Sequence, residues 1–446
     1  MRISTSQIYN SGALNILRNQ SSLYKLQNQM STGRRVLTPE DDPVAAAQAL
    51  MVRQSQQVNA QHLTNQGSAA SQLGLVDSQL TSLVNVLQNV REKVIQAGST
   101  ATLGNADRQA IATELELRLG EIVGIANAQN GSGDYLFSGY HGGTLPFAIN
   151  AASAALAPAT SAPFAYFGDD GERLLQVSSS RQMGVSVAGS ELFMNASEGN
   201  GSFVAATGGN VAGGINQGSA LADAGSVSDP QKWKNALNGF AWKTPANPAM
   251  QVRFSVAAGA TTYQLFDVSN PAAPAAMSAP ASFTPGQAIA LAATSPPAAA
   301  AADFGAQFVV SGQPADNDTF SVRPSANQSL FQTMQSLIGI LRAPLGTAAN
   351  PASQYSNALG VQLSNLDQAM ANVSRVHTSV GTRMSELDSL GNASSDLDLQ
   401  FEQSLLKLEG LDYAKAISDF TMQQTYLEAA QKSFAQISGL SLFDYL

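Results

Sequence analysis

A chain of 446 residues with 44% hydrophobic side chains carries enough apolar material for two or three packed domains. Only 12% of its residues are charged and the net charge is −9, which excludes a nucleic-acid binder, since displacing counterions from phosphates demands clustered Lys and Arg. No cysteine is present, so disulfide frameworks and thiol chemistry are excluded. Ser, Asn, Gln and Ala stand where charges usually would, giving a surface that costs little to desolvate when copies of the chain cover it. The opening residues MRISTSQIYNSG lack the apolar core of a secretory signal. No run approaches the roughly 20 apolar residues of a membrane span, so no membrane partner is expected.

In chain order, the first element is a weakly amphipathic helix from Ile3 to Met30. Ile16, Leu23, Leu26 and Met30 keep seven-, three- and four-residue steps, and Leu37 returns seven later. Gly33 ends the helix. In Thr38-Pro39-Glu40-Asp41-Asp42-Pro43 the spacing predicts a helix-cap turn: Asp42 caps, Pro43 takes the first helical position, and Ala45 to Leu50 propagate. Capping accounts for Asp41 and Asp42 better than metal binding, since no third ligand is near. A heptad run then places Leu73, Val76, Leu80, Leu83, Leu87, Val90, Val94 and Ala97 on one stripe. A further helix from about Asp107 to Ala128 carries Ile111, Leu115, Leu119, Ile122 and Ala126, and the glycine-rich Gly131 to Phe147 leaves the helical region.

Residues 144–325 follow a different pattern. Short alternating runs such as Val252 to Val256, Tyr263 to Phe266, Phe308 to Val310 and Thr319 to Val322 sit between Gly, Pro, Asn and Asp and predict an antiparallel β domain. The Ala/Pro tracts Ala151 to Ala165 and Pro271 to Ala302 read as surface loops, and Asp229 to Phe240 as a short helix that could divide the insert in two. Helix returns at Ser329 to Leu341. The longest heptad follows, with Leu359, Leu363, Leu366, Met370, Val373, His377, Val380, Met384 and Leu387, and its stripe resumes at Phe401, Leu405 and Leu408 and runs on into the last helix. His377 on that seam reads as a packed residue with one hydrogen bond rather than a ligand.

The last stretch, Gly410 to Leu446, organises the rest. Tyr413, Ile417, Phe420, Leu427 and Phe434 fall on one helical stripe, with Gln424 and Gln431 at interrupted positions and Ile437 one residue early; Ser438-Gly439 stops the helix. A helix with one apolar stripe needs a partner. The expected fold class is therefore α+β: a long antiparallel helical bundle or coiled coil formed by both chain ends, with an inserted antiparallel β domain. Residues 1–42 and 406–446 form terminal coiled-coil helices, disordered in the free monomer; residues 43–143 and 326–405 form a helical bundle domain; residues 144–325 form a β-rich domain.

Four separated segments, MRISTSQIYN, MSTGRRVLTPEDDPVAAAQAL, DYLFSGYHGGTLPF and AISDFTMQQTYLEAAQKSFAQISGLSLFDYL, resemble the flagellin superfamily, and within it the members that join hook to filament. The resemblance implies paired termini lining the core of a flagellum, a helical domain around them and the 144–325 β domain facing outward, a homo-oligomeric ring, and contact with other axial proteins, hook-associated protein 1 and flagellin. It further implies unfolded export by the flagellar type III route to an extracellular site, and a cytoplasmic chaperone on the C-terminal helix. The surface for assembly and chaperone binding would be Tyr413, Ile417, Phe420, Leu427, Phe434 and Ile437, with Ile16, Leu23, Leu26 and Met30. No HExxH, no phosphate loop and only three dispersed histidines are present, so neither an enzyme nor a metal or cofactor site is expected. A filament-forming flagellin, or an enzyme or host-binding module on the β insert, are the alternative readings.

Overall fold

The computed structural model describes residues 5–99, 104–149, 164–239, 249–293, 302–345 and 349–439. Seven α-helices are seen among them: α1 Thr5–Thr32, α2 Pro43–Ala97, α3 Asn105–Ala126, α4 Pro230–Gly239, α5 Leu330–Arg342, α6 Pro351–Glu409 and α7 Tyr413–Gly439. The chain divides into two compact units, residues 1–68, 176–182 and 386–446 in one, and residues 69–175 and 183–385 in the other.

The fold class is α+β with helices at both chain ends and an antiparallel β insert between them. Both long helices exceed the stretches that periodicity marks. The polar segment 51–72, which shows no heptad, continues α2 into a single helix of 55 residues, and α6 runs for 59. Gln, Ser and Asn without glycine clusters or proline cost each turn only tenths of a kcal/mol, so packing elsewhere on the helix decides. In the opposite sense, α6 does not run on into the last helix. Gly410 ends it with its N–H on the Leu406 carbonyl at 2.8 Å, and Asp412 caps α7, its Oδ1 accepting from Lys415 N at 3.1 Å.

In the larger unit, Leu73, Leu80, Leu83, Leu87, Val90, Val94 and Ala97 of α2 are completely buried. On α6 the buried positions include Leu359, Leu366, Ala369, Val373, Val376 and Val380, whereas Leu363, Met370, His377 and Met384 of the expected seam are half-buried. Polar links join the two helices: Arg91 Nε donates to Asp367 at 2.6 Å, and His377 Nε2 lies 2.9 Å from Asp77. Helix α3 packs on α5, with Arg342 and Glu116 paired at 2.6 Å, and Lys93 ties α2 to α3 through Glu114 at 2.9 Å. Ser329 caps α5 by accepting from Gln332 N at 3.0 Å.

The β insert centres on a six-stranded antiparallel sheet in the order 275–276, 260–267, 250–257, 318–324, 203–210, with 281–282 also on 260–267. A second sheet joins 288–293, 302–311, 221–222 and 226–227. Phe203, Trp233, Phe254, Phe308 and Phe320 fill the core of this insert. Among its described residues, the tract from Pro271 to Ala302, read as loop, contains the strands 275–276, 281–282 and 288–293. Its alanines hide the alternation, yet Ile289, Leu291 and Ala293 point inward, all 3% exposed or less, because small side chains at the intervening positions let the pleat expose Ala288 and Ala290 at little cost. Most of the other tract, residues 151–163, lies outside the described residues.

Candidate assembly surface

The smaller unit holds both terminal helices. α1 and α7 pack antiparallel: the rings of Tyr9 and Phe434 lie 4.7 Å apart at one end, and at the other a Cβ added to Gly33 would sit 2.9 Å from the Tyr413 hydroxyl. Gly33 has φ of 69°, the left-handed C-cap conformation in which glycine alone is unstrained. Just beyond the break, Arg35 N donates to the Glu409 carbonyl at 2.6 Å and Leu411 N to the Gly33 carbonyl at 3.0 Å. Two helix interruptions, one near each chain end, are thus sewn together by a short antiparallel bridge between Arg34 and Gly410.

Around that bridge sits a charged hub. Glu409, 8% exposed, pairs with Arg53 and lies 3.7 Å from Arg34. Arg35 reaches Asp42 at 3.2 Å and the Leu408 carbonyl at 3.0 Å. The cap turn forms where the sequence places it: Asp42 Oδ1 accepts from Ala45 N at 3.0 Å at the head of α2, where Pro43 occupies the first position. Asp41 Oδ2 accepts from Leu37 N at 2.9 Å and Thr38 N at 3.1 Å, and its other oxygen meets Lys25. The Lys25 ammonium, then the Thr38 amide, hold the Asp41 carboxyl down at about 2. The Ala45 amide, then Arg35, lower that of Asp42. Sequence reasoning saw the two aspartates as caps but missed Lys25, Arg34, Arg35, Arg53 and Glu409. A signal existed in Gly33-Arg34-Arg35 followed by Asp41-Asp42, basic then acidic residues flanking one turn.

The predicted stripe residues separate into two sets. Ile16, Leu23, Leu26 and Met30 on α1, and Phe420, Leu427 and Phe434 on α7, are half-buried. Tyr413 and Ile417, each 51% exposed, are open to solvent, and the buried residue of that turn is Ala416. The Ile437 side chain lies outside the described residues. A further apolar row faces water, with Leu14, Leu17 and Tyr24 on α1 and Met422 and Tyr426 on α7. Within the same unit Asn59 and Gln66 of α2 donate to the Ser394 and Val177 carbonyls, both at 2.7 Å, and Arg181 pairs with Glu386 at 2.7 Å. Among the described residues no cluster of three or more His, Asp or Glu is placed to hold a metal ion, and no helix is long and apolar enough to cross a membrane.

Comparison with known proteins matches residues 3–141 to the bacterial flagellin N-terminal helical region and residues 363–446 to the bacterial flagellin C-terminal helical region. The chain belongs to the flagellin family. The flagellin matches take in α1, α2, α3 and α7, most of α6 and the charged hub, and leave the β insert unmatched. Flagellar hook-associated protein 3 of Salmonella typhimurium is 34% identical over 193 residues, 43% of this chain and 57% of that protein. The hook-associated protein 3 of Escherichia coli K12 is 37% identical over 147 residues, 33% of this chain and 46% of that protein. The chain thus spans about half the length of these curated relatives. Among solved structures, the flagellar junction protein FlgL from Legionella pneumophila superposes with a TM-score of 0.64 at 25% identity, covering 81% of this chain and 100% of that one.

Proposed function

We propose that this flagellin-family chain is a structural subunit of the bacterial flagellum that joins hook to filament. The observation that carries the reading is the antiparallel α1/α7 pair, half-buried along its shared stripe yet lined outside by Leu14, Leu17, Tyr24, Met422 and Tyr426. Each large apolar side chain left in water forgoes roughly 1.5–3 kcal/mol, so such a row is stabilised by further helices, supplied by copies of the chain in a ring and by neighbouring axial proteins such as hook-associated protein 1 and flagellin. Residues 1–42 and 406–446 serve as the axial core in this reading, 43–143 and 326–405 as the surrounding helical domain, and 144–325 as the outward β domain. Tyr413, Ile417, Phe420, Leu427, Phe434 and Ile437 with Ile16, Leu23, Leu26 and Met30 form the assembly surface, and the α7 stripe is held by a cytoplasmic chaperone before unfolded export through the type III route. Similarity to two hook-associated proteins over more of the chain than to the flagellins, together with the junction-protein fold, favours a junction role over a filament one. Deleting the gene tests it: hooks should persist without filaments while flagellin accumulates in the medium, and a strain that keeps intact filaments refutes the assignment.

A further inference from the structure

The outer face of the six-stranded sheet carries a cation that no carboxylate answers. Residues directly opposite on antiparallel strands share a face, and Arg253 stands opposite Gln264 and Thr319, Gln251 opposite Phe266 and Ser321, all on the side away from the Phe254 and Phe320 core. The Arg253 guanidinium carbon lies 4.3 Å from the centre of the Phe266 ring, and its Nε donates to Gln251 Oε1 at 3.2 Å. Nη1 and Nη2 have no acceptor among the described residues. The buried side-chain nitrogens left without a partner lie elsewhere, on His62, Arg108 and Arg173, so both terminal nitrogens of Arg253 reach solvent. Arg323, on the same face, is answered by Glu198. Partial burial alone pulls Arg253 below its ordinary pKa, with no acid raising it.

Arg253 and Gln251 line an open groove of about 480 Å³ on this face, within the range of about 300–1,000 Å³ that small-molecule sites occupy. One wall is Gly208, Asn210 and Val211, and the other Val268, Pro271 and Pro274. Phe266 lies between strand 250–257 and the second wall but does not line the groove; the guanidinium resting on its ring takes its place, which turns the free Nη pair toward the groove. A Cβ on Gly208 would sit 3.1 Å from Gln251 Nε2, so the bare glycine leaves that amide, which has no acceptor among the described residues, room to meet a ligand. Beyond them the face presents Ser255, Thr262, Gln264 and Ser321, which hydrogen-bond but carry no charge. A polyanion demands several cations, and a wholly apolar ligand leaves the guanidinium unanswered and partly desolvated. One carboxylate accompanied by several hydroxyls fits what this face offers.

We propose that this groove binds an acidic saccharide of the hexuronate class, its carboxylate on Nη1 and Nη2 of Arg253, a ring hydroxyl on Gln251 Nε2, and the C–H face of the sugar against Pro271 and Pro274. The two terminal nitrogens of a guanidinium present parallel N–H donors at carboxylate spacing, which selects the uronate over the neutral hexose. One hexuronate ring has about thirteen non-hydrogen atoms, and at the ligand efficiency of such molecules its dissociation constant falls at about 1 mM.

The experiment uses the full-length chain with methyl glucuronide as probe, methyl glucoside as its neutral isostere and acetate as the bare carboxylate, read by ligand-observed NMR titration. Methyl glucuronide should bind saturably, with methyl glucoside and acetate each at least about tenfold weaker. Arg253→Met, which keeps the stem over Phe266 and removes the charge, should weaken the glucuronide about ten- to a hundredfold with circular dichroism unchanged. Gln251→Glu leaves Arg253 in place and supplies it with an acid of the chain's own, and should weaken binding as strongly. Absence of saturation at about ten times the expected dissociation constant, equal binding of methyl glucoside or acetate, or full affinity in either variant would each overturn the proposal. So would Arg253-dependent self-association in sedimentation with no response to methyl glucuronide, which would hand the cation to a carboxylate of a second copy.

Discussion

The Phe434 ring packs over the Tyr9 ring at 4.7 Å and closes against the bare Cα of Gly12, where an added Cβ would meet Phe434 Cδ2 at 2.8 Å. A residue near one chain end thus fits a notch cut by glycine near the other. Phe434→Asp places a carboxylate in that notch with no cation on the stripe, and its desolvation opposes helix pairing. The larger unit should melt as in the native chain, while motility is lost and flagellin leaks. A variant whose circular dichroism collapses throughout would place Phe434 in the common core instead.

Gly12→Val tests the same notch from the other side. The added side chain cannot coexist with Phe434 in its observed rotamer, so the pair must splay. Hydrogen exchange of α7 amides between Ala430 and Gln436 should rise in this variant and stay unchanged in Gln20→Ala, at an exposed position of α1; equal protection in both would show that the notch has slack.

Leu366 is completely buried on α6. Leu366→Ala removes three carbons from a packed seam and should cost about 2–5 kcal/mol in denaturant unfolding, the spread reflecting how far the site collapses. Ser374→Ala, on the exposed side of the same helix, should change stability by less than about 0.5 kcal/mol.

The cap turn should be pH-sensitive in a defined window. Asp41 is held at about 2 against an ordinary 3.8, a depressed carboxyl. Its stabilising effect is therefore complete above pH 3.8 and lost as pH falls toward 2. Exchange rates at the Leu37 and Thr38 amides, corrected for intrinsic chemistry, should climb through that window in the native chain and be high at all pH values in Asp41→Ala. Asp42→Ala, which deletes the α2 cap, should lower the unfolding midpoint at neutral pH.

Heptad spacing, helix stops and the cap were legible because each is a local rule. Eight apolar positions of α2 have to share a face whatever lies opposite, Asp42 before Pro43 can satisfy the Ala45 amide without knowledge of the rest of the chain, and Gly33 supplies a positive φ wherever it is put. Alternation likewise revealed the strands around Val252 and Phe320. It failed at Ala288 to Ala293, where alanine on both faces erases the contrast on which the pattern depends.

Everything that required distant residues to meet was decided by tertiary structure. The sequence places Leu363, Met370 and His377 on a seam with Leu366, Val373 and Val380, but which flank of α6 is buried depends on its neighbours, and the core takes in Ala369 and Val376 in place of the first three. α3 could not be assigned to α5 from its stripe, because an apolar face specifies burial and not a partner. Glu409 reads as one more acid at a helix end until the fold brings Arg34 and Arg53 to it. Arg108 reads as a surface charge in a helical first turn until folding closes Tyr355 over it. By itself the sequence determined where helices and strands form and which faces are apolar, since those preferences act over a few residues. Only the tertiary structure decided which apolar faces are covered and which charges are left alone, since burial and pairing are properties of neighbours that the chain order does not name.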